Sequence, residues 1–275
     1  MYRKAEAKDR EAYCRLWQKV FGDPPQFSGM VFDSFAGEGN IWLWEEGEVR
    51  SILSAVPVTL NGKKGAYYYG LATDPICRGK NLMTGLMEYA DAALKERGVE
   101  FVCLIPASPS LFEFYERRGY QKAFELRCLR RPIRRNLWAQ ADFDAVTVKK
   151  LAEIRREYVP NSVEFSEERL TRVVTDLYSG GATIVSTPRG YGMFFEKRDE
   201  LVFIELLAKD DRAAEEILEA AREKTGAEEA MILLGANQEL LLGEGKRKDY
   251  GMIRFLGEPF DVSESYMRLM MDYEA

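Results

Sequence analysis

The sequence predicts a two-domain protein of mixed α/β (α+β) class. Three observations carry this. The chain has 275 residues, and a domain is typically about 100–200 residues. Apolar periodicity alternates between two-residue stretches, which read as strands, and 3.6-residue stretches, which read as helices. A hairpin–helix–strand order over residues 51–105 recurs over 192–234 with little residue identity. With 46% hydrophobic and 31% charged residues, each half has enough apolar surface for a core.

In chain order, residues 1–22 read as a short strand and then a helix. Leu16, Val20 and Phe21 form its apolar stripe and Gly22 stops it. Asp23-Pro24-Pro25 breaks the chain, and a second helix covers Phe27 to Phe35. IWLWEEG and EVRSILSAVPVTL read as strands. Asn61-Gly62 is the strongest hairpin signal and joins Ser51–Leu60 to Ala66–Thr73. From Gly79 to Arg97 the period is helical, with Leu82, Leu86, Ala90 and Leu94 on one face and Gly98 as the stop. FVCLI is a buried strand, Ser110 to Arg118 a short helix, and Gln121–Leu129 a strand. RCLRRPIRR closes the first domain, placing the boundary at 131/132.

In the second half, helices are expected over Thr147–Tyr158 and Ser166–Tyr178. Strands follow at Ala182–Ser186, Gly192–Glu196 and Leu201–Leu207, then a helix over Arg212–Lys224 and the strand MILL. Both copies run on into a glycine- and tyrosine-marked turn and a strand, RRGYQKAFELR and RKDYGMIRFL.

Composition narrows the chemistry. There is no histidine, which removes Ser-His-Asp and Cys-His catalysis and His-ligated zinc. Cys14, Cys77, Cys103 and Cys128 are widely spaced without a CxxC. They read as free thiols of a reducing cytoplasm, with no metal site. The formal charge of -6 argues against nucleic acid as a partner. The apolar runs fall short of the ~20 residues of a membrane helix. The opening MYRKAEAKDR does not read as a secretory signal.

The segment ATDPICRGKNLMTGLM stands out. A strand ends at Thr73, a tight turn follows, and a long helix starts within RGKNLM. A helix N-terminus carries unpaired amides and partial positive charge, which suits a phosphate. Gly79 permits close backbone approach, and Arg78 and Lys80 add charge. By itself this also describes an ordinary strand–helix connection. The elements downstream, FVCLIPA and SPSLFEFYERRGY, raise its meaning.

This order resembles the GNAT superfamily of N-acetyltransferases. There a strand, a Pro-x-x-(Arg/Gln)-x-x-Gly-x-(Gly/Ala) loop, a helix, a strand and a Phe-Tyr-x-x-x-Gly-(Phe/Tyr) element follow one another. The counterparts here are Pro75, Arg78 to Met83, and Phe114-Tyr115-Glu116-Arg117-Arg118-Gly119-Tyr120. Asn81 and Met83 stand where the loop usually has small residues, and Ser108 stands where an asparagine often precedes the last helix. Asparagine tolerates left-handed backbone, so Asn81 is expected to keep the loop's shape.

The resemblance implies acetyl-CoA as donor, without a metal. Its pyrophosphate would lie on the amides of Arg78, Gly79, Lys80, Asn81, Leu82 and Met83. Its pantetheine arm would run beside Leu71, Ala72 and Thr73, on a strand splayed from FVCLI, with Ser108 nearby. Tyr115 would be the general acid, and the acceptor a small-molecule or peptide amine. The family's frequent carboxylate on the strand before the loop is missing from Tyr67-Tyr68-Tyr69-Gly70. Deprotonation would then use a water chain or another carboxylate, the chain terminus at Ala275 included. The tandem layout is similar to the enhanced-intracellular-survival type without its sterol-carrier-like domain. Residues 1–131 would be the cofactor-binding catalytic domain and 132–275 a degenerate copy shaping the acceptor site. In that copy AKDD replaces the loop, and Asp210 and Asp211 would cap the helix and repel a pyrophosphate.

Other readings remain open at this level. A homo-oligomer is compatible with the sequence. A non-catalytic CoA-binding or protein-interaction protein fits Asn81, Met83 and the missing carboxylate. The aromatics Trp42, Trp44, Tyr67, Tyr68 and Tyr69 read more simply as core than as an amine pocket. The arginines at 127, 130, 131, 134 and 135 read as a solvated linker with interdomain salt bridges.

Overall fold

The computed structural model describes residues 1–198 and 200–271. In chain order its elements are β1 (Tyr2–Lys4), α1 (Arg10–Phe21), α2 (Pro25–Met30), β2 (Ile41–Glu46), β3 (Glu48–Leu60), β4 (Lys63–Thr73), α3 (Leu82–Glu96), β5 (Phe101–Leu104), α4 (Pro109–Glu116) and β6 (Gln121–Pro132). The chain continues through β7 (Asp142–Phe143), α5 (Val148–Tyr158), α6 (Glu167–Ser179), β8 (Thr183–Thr187), β9 (Gly190–Lys197), β10 (Glu200–Ala208), α7 (Asp211–Thr225), β11 (Glu229–Gly235) and β12 (Lys246–Phe255). The expected elements are all present, with ends shifted by a few residues. The second helix is split, because α2 passes into a wider π turn at Val31–Phe35.

The chain forms two compact units that interleave in sequence. The first holds Met1–Gln121, Glu164–Arg169 and Met252–Phe260, and the second Lys122–Val163, Leu170–Gly251 and the segment from Asp261 onward. The expected boundary at 131 therefore does not describe the division. The reason is strand pairing. The strand that ends the first sequence copy, β6, pairs antiparallel with β11, while Met252–Phe255 at the end of β12 pair antiparallel with β5. Each copy sends its last strand into the other unit's sheet.

In the first unit the sheet runs β1-β2-β3-β4-β5 and then the end of β12. Among the described residues of this unit, only β4 and β5 pair parallel. Asn61 and Gly62 take φ of 51° and 74° in the β3–β4 hairpin, as a two-residue primed turn requires. Side chains alternate along β4. Tyr68 packs with Leu86, Ala90 and Leu94 of α3, while Tyr67 and Tyr69 stack with each other and Tyr69 meets Trp17 of α1. Trp42, Tyr67 and Tyr68 are buried core residues, while Trp44 and Tyr69 are half-buried. The stripe of α1 is Tyr13, Leu16 and Trp17; Phe21 is 45% exposed, so it is not part of that stripe.

The second unit has the same design. Its strands run β6-β11-β10-β9-β8-β7, with β10 and β11 the parallel pair and α7 packed on β8, β9 and β10. Its core gathers Phe194, Phe203, Ile217, Leu218, Ile232 and Leu234. Continuing β6 to Pro132 also corrects the reading of three of the arginines, while Arg134 and Arg135 are exposed beyond the strand. Arg127 is buried and donates to the carbonyls of Gln238, Leu240 and Glu244. Arg130 and Arg131 pair with Glu200 and Glu215. All of these partners lie in the second unit. No helix among the described residues is long and apolar enough to cross a membrane.

Candidate active site

The first unit contains a fork. β4 and β5 pair only at Gly65–Phe101, Ala66–Val102 and Tyr67–Cys103. Beyond Tyr67 the two parallel strands no longer pair, so backbone groups on their facing edges are left for another partner. The fork coincides with a bulge. On β3, Ser54 pairs with Tyr69 and Ile52 with Ala72, so Leu53 alone faces both Gly70 and Leu71. A bulge leaves its extra residue out of the ladder and bends the strand. Gly70 carries it with φ of 63°, a conformation that favours glycine.

The expected cofactor residues divide by position. Ala72 is buried, and its carbonyl accepts the Ser51 hydroxyl at 3.1 Å. Leu71 and Thr73 are half-buried, and the Thr73 and Ser51 hydroxyls are 2.9 Å apart. After Thr73 the chain is anchored by Asp74. Its carboxylate accepts Lys19 at 2.8 and 3.0 Å, Arg50 at 2.8 Å and the Ile76 amide at 3.3 Å. The hydrogen bonds from Lys19 first, and then from Arg50 and Ile76, hold it down to about 2. The motifs did not single out Asp74; its place immediately before a proline at a strand end was the available signal.

Arg78, Gly79, Lys80 and Asn81 are exposed and lead into α3. Gly79 has φ of 80°, and Asn81 lies at φ 58°, ψ 18°. Asn81 thus takes the left-handed backbone expected of it. It stands at the N-cap without a side-chain capping bond, which leaves amides of the first turn of α3 available. Leu82 turns inward to the core and Met83 packs against its edge, so these two offer backbone rather than side chains. Ser108 precedes α4 and lies 3.0 Å from the Ser110 hydroxyl without capping the helix.

Tyr115, on α4, is 7% exposed and packs in the same core cluster as Leu86 and Leu104. Its ring meets Phe114 and Tyr120 edge-on at 5.1 and 5.6 Å. Burial pushes its phenol up to about 12, with the nearby Arg118 charge opposing. A bulged fork, a loop with two left-handed residues and a tyrosine on the following helix thus stand together in one unit. Ala275, the other candidate carboxylate, lies outside the described residues.

The second unit repeats the fork without the loop. β10 and β11 pair from Glu200–Glu229 to Phe203–Ile232 and then stop, and β10 bulges between Phe203 and Glu205. Here the chain's own side chains occupy the bulge. Arg268 donates to the Ile204 carbonyl at 2.8 Å. Glu205, fully buried, accepts Arg155, Tyr191 and, at 2.8 Å, Tyr266. Asp210 caps α7 by accepting the Ala213 amide at 2.9 Å, and Asp211 accepts the Leu241 amide at 2.6 Å. A cavity of about 680 Å³ opens beside these residues, lined also by Glu239 and Glu264. Its charge is wrong for a pyrophosphate.

Comparison with known proteins agrees with this geometry. Residues 1–123 match the acetyltransferase (GNAT) domain family. They form a GNAT acetyltransferase domain, within a chain whose two units follow the tandem arrangement of that fold. No curated protein matches the sequence. Among solved structures, Eis1 from Mycobacterium abscessus is 15% identical with a TM-score of 0.71, covering 93% of this chain and 74% of its own. A GCN5-related N-acetyltransferase from Kribbella flavida is 16% identical with a TM-score of 0.71, covering 93% and 72%. One from Sphaerobacter thermophilus is 13% identical with a TM-score of 0.56, covering 96% and 98%. At these identities the likeness is one of fold.

Proposed function

We propose that the first unit transfers acetyl from acetyl-CoA to a primary amine by direct attack. The observation that carries this reading is the fork of β4 and β5 beyond Tyr67, bulged at Gly70 and flanked by the Arg78–Met83 loop. The pyrophosphate would rest on the loop amides beside Arg78 and Lys80, and the pantetheine arm along Leu71, Ala72 and Thr73, near Ser108. The fit is supported by exposed loop residues in left-handed backbone at the start of a 15-residue helix.

The amine nitrogen forms a bond to the thioester carbon and loses a proton to water, since no carboxylate stands within Tyr67–Gly70. Backbone donors released by the bulge suit the oxygen on which charge develops. The C–S bond then breaks, and Tyr115 protonates the departing sulfur. The second unit, its bulge occupied by Arg268 and Glu205, would shape the acceptor site rather than bind a second cofactor. Buried or half-buried free cysteines support a reducing, cytoplasmic setting.

Calorimetry with acetyl-CoA, followed by a thiol-release screen over aminoglycosides, polyamines, peptide N-termini and lysine side chains, tests the reading. One binding site per chain and turnover with at least one amine are expected. Binding without turnover across the panel would favour a non-catalytic CoA-binding protein, and absence of binding would overturn the transferase reading in favour of a protein-interaction role.

A further inference from the structure

The first turn of α3 is gripped by a side chain from beyond α4. Arg118 is half-buried, and its Nε and one terminal nitrogen both donate to Thr84 Oγ1, at 2.9 and 2.6 Å. Its other terminal nitrogen donates to the Phe114 carbonyl at 2.6 Å, and the guanidinium carbon lies 3.4 Å from the centre of the Phe114 ring. Stacking and hydrogen bonds thus fix the guanidinium between α4 and the third residue of α3. Arg117, one residue earlier, is exposed and pairs with Glu113 at 3.2 Å. Among the described residues no carboxylate forms an ion pair with Arg118.

This grip decides what Thr84 can do. A hydroxyl has one proton to donate and two lone pairs with which to accept, whereas a guanidinium only donates. Two N–H groups of Arg118 take both acceptor positions of Thr84, so the hydroxyl is left with its proton. Elsewhere in the chain, helical hydroxyls give that proton to the carbonyl four residues back. Thr175 donates to Thr171 at 2.8 Å, Ser179 to Thr175 at 2.9 Å and Thr225 to Ala221 at 2.8 Å. The residue four before Thr84 is Lys80, which lies in the loop outside the helix. Among the described residues the Thr84 hydroxyl donates to nothing. The Thr84 amide has the same polarity, since a first-turn N–H meets no carbonyl of its own helix. Pairing begins one residue later, where the Gly85 amide meets the Asn81 carbonyl at 3.1 Å.

We propose that Arg118 is a positioning residue for cofactor binding: by filling both lone pairs of Thr84 it makes that hydroxyl an obligate donor, which adds a side-chain contact for a diphosphate oxygen to the first-turn amides of α3. This deepens the acetyltransferase reading and rests on it. A freely rotating hydroxyl turns its lone pairs toward an anion in some orientations and its proton in others. Fixing the rotor beforehand removes that ordering cost from binding, and a bond to a charged oxygen is stronger than one to a neutral acceptor.

The test is calorimetry with acetyl-CoA on the full chain, with melting temperatures measured alongside. Thr84→Val removes the hydroxyl at nearly constant volume and should weaken binding roughly tenfold. Thr84→Ser keeps it and should stay within about twofold of wild type. Arg118→Met keeps a stem over Phe114 without the donors and should weaken binding roughly threefold to tenfold. The double variant should bind no more than about twofold more weakly than Thr84→Val alone, because both changes act through one bond. In turnover assays KM for acetyl-CoA should rise in Arg118→Met with kcat nearly unchanged. If Arg118→Met fails to fold, Arg118→Lys, whose single ammonium cannot fork onto one oxygen in this way, takes its place with the same expected direction.

Thr84→Val binding like wild type in a folded chain overturns the proposal. Losses that add in the double variant overturn it as well, since Arg118 would then act through its charge and not through Thr84. So do affinity losses that merely follow a fall in melting temperature. A wild-type chain that binds no acetyl-CoA defeats the acetyltransferase reading and the proposal with it, whereas normal wild-type binding with unaffected variants defeats the proposal alone.

Discussion

Gly70 lies directly against the indole of Trp17: a methyl group built on its Cα would overlap the six-membered ring. The same residue has φ of 63°. Two independent constraints, a left-handed backbone and an aromatic neighbour, therefore fix glycine at the bulge where β4 leaves β5.

Gly70→Ala should cost about 1–3 kcal/mol from backbone strain and overpacking, read by thermal or denaturant unfolding. Adding Trp17→Ala relieves the overlap but not the strain. The double variant should recover only part of the bulge-dependent acetyl-CoA affinity. Wild-type stability in Gly70→Ala would show that the bulge can rearrange cheaply.

Asp74 ties the loop to α1 and β3 through Lys19 and Arg50. Its carboxyl is held down to about 2, against about 3.9 for an ordinary aspartate. A depressed folded-state value means that its contribution is fully present above about pH 4 and fades as pH falls toward about 2. Asp74→Asn should destabilise the chain by about 1–3 kcal/mol at neutral pH, discounted toward the lower end because Lys19 is 49% exposed. The gap from wild type should close in acid. A gap that stays constant down to the acid transition would contradict this account.

Asn81 already has the backbone that a glycine would adopt, so Asn81→Gly should change acetyl-CoA affinity by under ~1 kcal/mol. Asn81→Val should weaken binding, because a β-branched residue resists left-handed φ. Charge reversal gives the matching contrast. Arg78→Glu should weaken binding, while Asp211→Lys in the second unit should leave it nearly unchanged. Titration calorimetry measures all four, and two equivalent sites per chain would refute the assignment of binding to the first unit.

Tyr115→Phe keeps the buried ring and removes the phenolic proton. If the role is chemical, kcat should fall roughly 10²–10⁴-fold, with acetyl-CoA affinity and melting temperature nearly intact. With the phenol near 12, wild-type activity should lose this acid only as pH rises toward that value. A kcat within a few-fold of wild type means that sulfur departs unassisted or takes its proton elsewhere.

Local signals were enough for much of the fold and for the identity of the candidate loop. Asn61-Gly62, the glycine stops and the change of period mark the β3–β4 hairpin and α3, because turn chemistry and amphipathic spacing act over a few residues. Asn81 could be read as left-handed for the same reason. Of the two aspartates of AKDD read as caps, Asp210 does accept the Ala213 amide, whereas Asp211 accepts the Leu241 amide outside the helix. What only the tertiary structure decided are contacts between residues far apart in sequence. Neither RCLRRPIRR nor RKDYGMIRFL says which strand it will join, since a strand's backbone groups pair with any suitably placed edge. So the exchange of β6 and β12, and with it the division into units, was not legible. The Trp17 ring over Gly70, the Lys19 and Arg50 anchor on Asp74, and the Arg268 and Tyr266 side chains at the second bulge belong to the same class. Each joins residues dozens of positions apart, and burial and hydrogen-bond satisfaction in the folded core, not local propensity, select them.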